Sequence, residues 1–210
     1  MKRIFLVIWL SVLTVGLAAQ GMGEIFESMP DQFVPQLESA WRKDLVDLYK
    51  NGKEAKLKNT MNGFSVLKQL TDDYLLLQST ERSIIEMRLL PLVNHTHLIC
   101  MVTTIYAPAP DSRIDFFTTD WKPLDASALF TPVLKEWFMK EDADPQSTAY
   151  IEALARLDMN LQKYSLDPEQ LTLTIEWATP QYLSDADAKY VAPFLKQEPK
   201  VYRWENHRFQ

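Results

Sequence analysis

The stretch His97-Leu98-Ile99-Cys100-Met101-Val102-Thr103-Thr104-Ile105-Tyr106 is largely apolar on both of its alternating faces. Side chains along a strand point to opposite sides in turn, so a run that is apolar on both sides must be covered on both. That places it centrally in a sheet. The flanking sequence has the same texture. Short β-rich runs at 64–70, 74–78 and 83–90 precede it, and another at 113–118 follows. Turn chemistry separates them at Thr71-Asp72-Asp73, at 79–82, at 91–94 and at 108–112. Consecutive strands joined by short turns predict an antiparallel meander.

Upstream, Val34, Leu37, Trp41, Leu45 and Leu48 recur at helical spacing, and Asn51-Gly52 reads as the stop. Pro35 fits the first turn of this helix, and Arg42, Lys43, Asp44 and Asp47 fall on or beside its wet face. Downstream, 131–158 reads as helical, with one stripe of Val133, Leu134, Trp137 and Phe138 and a second of Tyr150, Ile151, Leu154 and Leu157, separated by the acidic loop Glu141 to Pro145. Strands follow at 161–166 and 171–178, then a short helix capped by Ser184 and running to Leu195, then a last strand at 200–204. The fold class is therefore α+β: a curved antiparallel sheet covered by helices.

The segments 74–86 and 164–176 echo one another at a fixed offset, each starting with Tyr and ending in Ile-Glu. One reading is two weakly similar sheet-and-helix units, roughly 56–125 and 159–210; the other is coincidence between amphipathic strands.

At the start of the chain, Lys2 and Arg3 precede an apolar run from Ile4 to Leu17, and small residues follow. That is the plan of a cleavable export signal, residues 1–21, with Ala19-Gln20-Gly21 before a cut at Met22. The run is shorter than the roughly 20 residues a helix needs to span a bilayer. The sequence thus predicts a periplasmic or secreted protein with a single domain over 22–210 and no stable membrane insertion after cleavage. The only cysteine is Cys100, so no lipid-bearing cysteine follows the leader and no disulfide forms within the chain.

The formal charge is −6, and removing Lys2 and Arg3 takes it to about −8. Nucleic acid is excluded as a partner by the lack of a basic footprint, and an acidic chain is disfavoured on anionic phospholipid for the same reason. Only Gly23, Gly52 and Gly63 lie beyond the expected cut, too few for a phosphate loop, a dinucleotide fingerprint or a nucleophile elbow. No cofactor is expected.

Asp111, Arg113, Asp115 and Asp120 gather with Tyr106, Phe116 and Trp121 around one hairpin. Of these, Tyr106, Asp111, Arg113, Asp120 and Trp121 are the candidate surface ligand-binding residues. The alternative is turn chemistry with Arg113 and Asp115 outward and Ile114 and Phe116 in the core. Glu86 and Arg88 share a strand face, and Glu176 sits at the echoing position; the choice is between an acid/base pair in a cavity and a surface ion pair of little worth. His95, His97 and His207 are the only imidazoles, and ordinary turn chemistry accounts for the first two without a metal. Cys100 reads as a buried core thiol.

The chain resembles a family of exported proteins of unknown function from Bacteroidales and their relatives. The resemblance is carried by Met29-Pro30-Asp31, Arg42-Lys43-Asp44-Leu45, Leu70-Thr71-Asp72-Asp73-Tyr74, Glu86-Met87-Arg88-Leu89-Leu90-Pro91, Pro110-Asp111-Ser112 and Trp121. It is close from Ile25 to Leu124 and looser beyond. It implies export from a Gram-negative bacterium and supplies no catalytic residue.

The reading of function is a non-enzymatic binding or accessory module of the cell envelope, with an envelope protein or a small apolar ligand as partner. Two alternatives stand beside it: a carrier of an apolar small molecule or lipid, and a glycan or peptide hydrolase using paired carboxylates.

Overall fold

The computed structural model describes residues 20–210, so the expected leader lies outside the described residues except for Gln20 and Gly21. Seven strands form the larger sheet: β1 (Lys56–Lys58), β2 (Phe64–Leu70), β3 (Tyr74–Thr80), β4 (Ser83–Pro91), β5 (His97–Tyr106), β6 (Pro110–Thr118) and β7 (Pro123–Leu124). They lie in sequence order, each pairing with the next antiparallel. The sheet curls strongly into a half-barrel. Register shifts in the β2–β3 and β3–β4 pairs, at Leu67/Gln69 and Gln78/Thr80, supply local twist. A second meander is made of β8 (Gln162–Leu166), β9 (Thr172–Trp177), β10 (Lys200–Glu205) and β11 (Arg208–Phe209).

The helices are α1 (Met22–Glu27), α2 (Ser39–Lys50), α3 (Ala126–Leu129), α4 (Thr148–Arg156) and α5 (Asp185–Val191). One face of the large sheet packs Leu75, Leu77, Met87 and Ile99 against Ile25, Phe26, Leu45 and Val46 of α1 and α2. The other packs Leu98, Cys100, Val102 and Phe116 against Tyr164, Leu173, Ile175 and Trp204 of the small sheet. This is why β5 is apolar on both faces. The expected helical cover is made by α1 and α2 on one side; on the other a second sheet joins the cover, with α3 packed beside it against β6 and β11. Helices α4 and α5 share a third cluster through Ala153, Leu157, Val191 and Leu195.

Two helical expectations are corrected. Helix α2 starts at Ser39, and Pro35 lies in a preceding turn where the Leu37 amide donates to Val34 O at 2.9 Å. Arg42 explains the late start. It is 1% exposed, not on the wet face, and its guanidinium donates to the carbonyls of Phe26, Met29 and Leu37 and to Asp31. A helix through residue 37 would take that carbonyl for its own ladder. The segment 131–158 is helical in its second stripe, α4, which Ser147 caps by accepting the Tyr150 amide at 3.3 Å, while its first stripe forms only a 3₁₀ turn, Lys135–Phe138. Prolines at 132 and 145 interrupt it. The short edge strands β1 and β11 carry too few residues to show alternation and have no sequence signal.

Ser184 does cap α5, accepting the Asp187 amide at 3.2 Å. Among the described residues, no helix is long and apolar enough to cross a membrane.

Candidate functional site

Among the described residues strand β8 is an edge of the small sheet, so the amides of alternate residues point away from its partner, β9. Three side chains of the large sheet take those amides. Asp111 Oδ1 accepts from Gln162 at 3.3 Å, Ser112 Oγ from Tyr164 at 3.0 Å, and Glu86 Oε2 from Leu166 at 2.7 Å. Ser112 is itself held by Thr104, oxygen to oxygen at 2.8 Å. The seam between the two sheets is thus closed by side chains rather than by a backbone ladder.

Glu86 and Arg88 do not form a surface ion pair with each other. Arg88 is 5% exposed, bonds to Asp73 at 3.0 Å and donates to the carbonyl of Pro168, in the turn after β8. Both residues therefore tie β4 to the small sheet. Burial raises the Glu86 carboxyl from 4.5 to about 7, while the Leu166 amide and nearby Lys163 pull the other way. Tyr164 is pushed up to about 12, chiefly by burial and then by Tyr202 and Asp111. On the far face of β8, Lys163 bonds to Glu176 at 3.0 Å, so Glu176 is engaged on the exposed side and not with Glu86.

The five candidates from the hairpin separate. Asp111 is part of the seam. Arg113 is exposed and bonds to Asp115 at 2.7 Å. Asp120 is exposed, bonds to Lys122 at 2.6 Å and accepts from Thr118, and these hold its carboxyl down at about 2. Tyr106 ends β5, half-buried, with its amide on Arg82 O at 2.9 Å. Trp121 is corrected: at 7% exposed it is a core anchor, stacked on Phe33 and tilted against Phe117, with Nε1 donating to Ile25 O at 3.1 Å. Its φ of 62° is unusual for a bulky residue and costs roughly 1–2 kcal/mol. The buried ring and its hydrogen bond hold it there.

Beside the seam lies a depression of about 360 Å³ whose walls include Ser112, Arg113, Ile114, Ser127, Phe130 and Tyr164. Its floor is apolar and aromatic, and Arg113 and the serines give it a polar rim. Of the five candidates only Arg113 reaches it. Sequence reasoning missed Phe130 and Tyr164, because nothing local says that α3 and β8 meet β6 there. Among the described residues, no group of three or more His, Cys, Asp or Glu could hold a metal ion. Cys100 is fully buried, and burial, then Glu86 and Asp115, push its thiol well up. That disfavours the thiolate a nucleophile needs.

Arg42 was also missed as a buried residue. The apolar stripe of α2 runs through Leu45 and Val46, and Arg42 precedes them by three and four residues. A stripe centred on Val46 would have placed it inside.

Among solved structures, a domain of an uncharacterized protein from Porphyromonas gingivalis W83 is 32% identical, with a TM-score of 0.82, and the match covers 92% of this chain and 99% of that one. No curated protein matches the sequence. The family described as "Protein of unknown function (DUF3256)" matches residues 14–209, and the chain belongs to that family.

Proposed function

We propose that this is an exported, non-enzymatic binding or accessory module of the cell envelope, and that it engages its partner at the depression beside the two-sheet seam. The observation that carries the reading is the character of that surface: aromatic side chains at its base, a 71% exposed arginine at its rim, and rigid elements from both sheets around it. Asp111, Glu86 and Arg88, close by, hold the two sheets together and are committed to structure, which leaves Arg113 as the charged side chain at the rim. The apolar strands between which a carried ligand would sit are also occupied. Leu75 and Leu77 pack under α1 and α2, and Leu98, Cys100 and Val102 pack under the small sheet.

The test is native mass spectrometry of the mature protein taken gently from its own envelope fraction, with wild type and Arg113→Glu compared. A partner mass present on wild type and lost from a folded Arg113→Glu supports the reading. A partner retained equally by both places the contact elsewhere. Turnover of an envelope substrate, abolished by alanine changes that leave the fold intact, would overturn the non-enzymatic assignment.

A further inference from the structure

The whole-chain charge conceals a local reversal. Between residues 50 and 68 stand Lys50, Lys53, Lys56, Lys58 and Lys68 against a single acid, Glu54, in a chain whose net charge is −6. The fold gathers part of this run on one face. In the β1–β2 pair Lys56 faces Val66 and Lys58 faces Phe64, so these side chains share a side. Lys68 falls at the β2 register shift between Leu67 and Gln69 and is exposed, while Ser65 and Leu67 turn inward, buried. This side is opposite to α1 and α2, and the small sheet leaves it open, because β8 packs on β4, β5 and β6.

Apolar groups project among these charges. Met61, in the turn between the strands, is 69% exposed, and Phe64 is 46% exposed with Lys56 Nζ 4.6 Å from its ring centre. Among the described residues, none of Lys53, Lys56, Lys58 and Lys68 has a carboxylate within ion-pair distance. Lysines on an edge strand keep other chains from pairing with it, which accounts for Lys56 and Lys58. It does not account for Lys68 on the inner strand, nor for an exposed methionine and phenylalanine beside them.

The geometry points to the β1–β2 hairpin as a contact surface for an anionic lipid membrane, with the lysines over the headgroups and Met61 and Phe64 at the acyl boundary. Lysines near such a surface attract it additively, and a projecting apolar side chain favours lipid over a merely acidic protein. The contact is peripheral and reversible. It revises the expectation drawn from total charge, since the remainder of the chain carries the excess acid and can face away. It does not depend on the seam depression.

Co-sedimentation of the mature protein with phosphatidylglycerol–phosphatidylcholine vesicles, against phosphatidylcholine alone, tests this. Binding is expected on the anionic vesicles only. It should fall steeply between about 0.01 M and 1 M salt, as the screening length shrinks from about 30 Å to about 3 Å. Lys56→Glu/Lys58→Glu should weaken it by about tenfold or more and Met61→Ser by a few-fold. Lys140→Glu/Lys189→Glu, the same charge change elsewhere, should leave most of it. Thermal melts confirm that each variant is folded. The proposal is overturned if wild type ignores anionic vesicles at low salt, if the two double variants behave alike, or if the protein binds polyglutamate but no vesicle.

Discussion

Glu86 on β4 accepts the outward amide of Leu166 on β8 at 2.7 Å, across 80 residues of sequence. A carboxylate on one sheet thereby closes an edge of the other, and its protonation is coupled to how the two sheets meet.

The coupling sets a pH dependence. The Glu86 carboxyl is raised from 4.5 to about 7 in the fold, so the native state binds a proton more tightly than the unfolded chain does. Its stabilising contribution is fully present below about pH 4.5, declines through about pH 7, and is gone above. The shift bounds it at roughly 3 kcal/mol, less for a partly exposed group. Glu86→Gln keeps an acceptor for Leu166, and urea midpoints between pH 4.5 and 8 should lose this slope.

Removing Ser112 Oγ should open the seam locally. Ser112→Ala leaves the Tyr164 amide without its acceptor, at a cost of roughly 1–2 kcal/mol. Hydrogen exchange should show the Tyr164 amide protected in wild type, although β8 is an edge strand, and faster in the variant.

Arg42 is a costly side chain to truncate on the helical side. Arg42→Ala strands the carbonyls of Phe26, Met29 and Leu37 in a buried site. A loss of about 3–5 kcal/mol in equilibrium unfolding is expected. Arg42→Lys should recover little, because an ammonium does not reproduce the planar fork that serves several carbonyls at once.

Trp121 separates two contributions. Trp121→Phe keeps most of the aromatic contact with Phe33 and Phe117 but deletes the bond to Ile25, and should cost about 1–2 kcal/mol. Trp121→Ala should cost about 3–5 kcal/mol by leaving a cavity. If the two variants unfold at the same denaturant concentration, the ring packing assigned here is wrong.

The strands were legible because their signals are local. The run from His97 to Tyr106 became β5 with the same limits, and the turn at Thr71-Asp72-Asp73 and the helix cap at Ser184 took the conformations their side chains favour. The stripe from Tyr150 to Leu157 became α4, but the stripe from Val133 to Phe138 became only a 3₁₀ turn, since its apolar spacing fits a helix as well as it fits an irregular chain pinned against the core. At the candidate site, Asp111 and Arg113 were visible as hairpin polar residues. Phe130 and Tyr164 were not, because they arrive from elements far along the chain.

What the sequence alone determined is the class of fold: an antiparallel meander around a doubly apolar strand, with helices beside it, since side-chain alternation and turn preference act within a few residues. What only the tertiary structure decided is the role of each charge. Whether Arg42, Glu86 or Arg88 lies in solvent or inside depends on which carbonyls and amides other segments leave unpaired nearby. A buried charge is tolerated only where those partners are met.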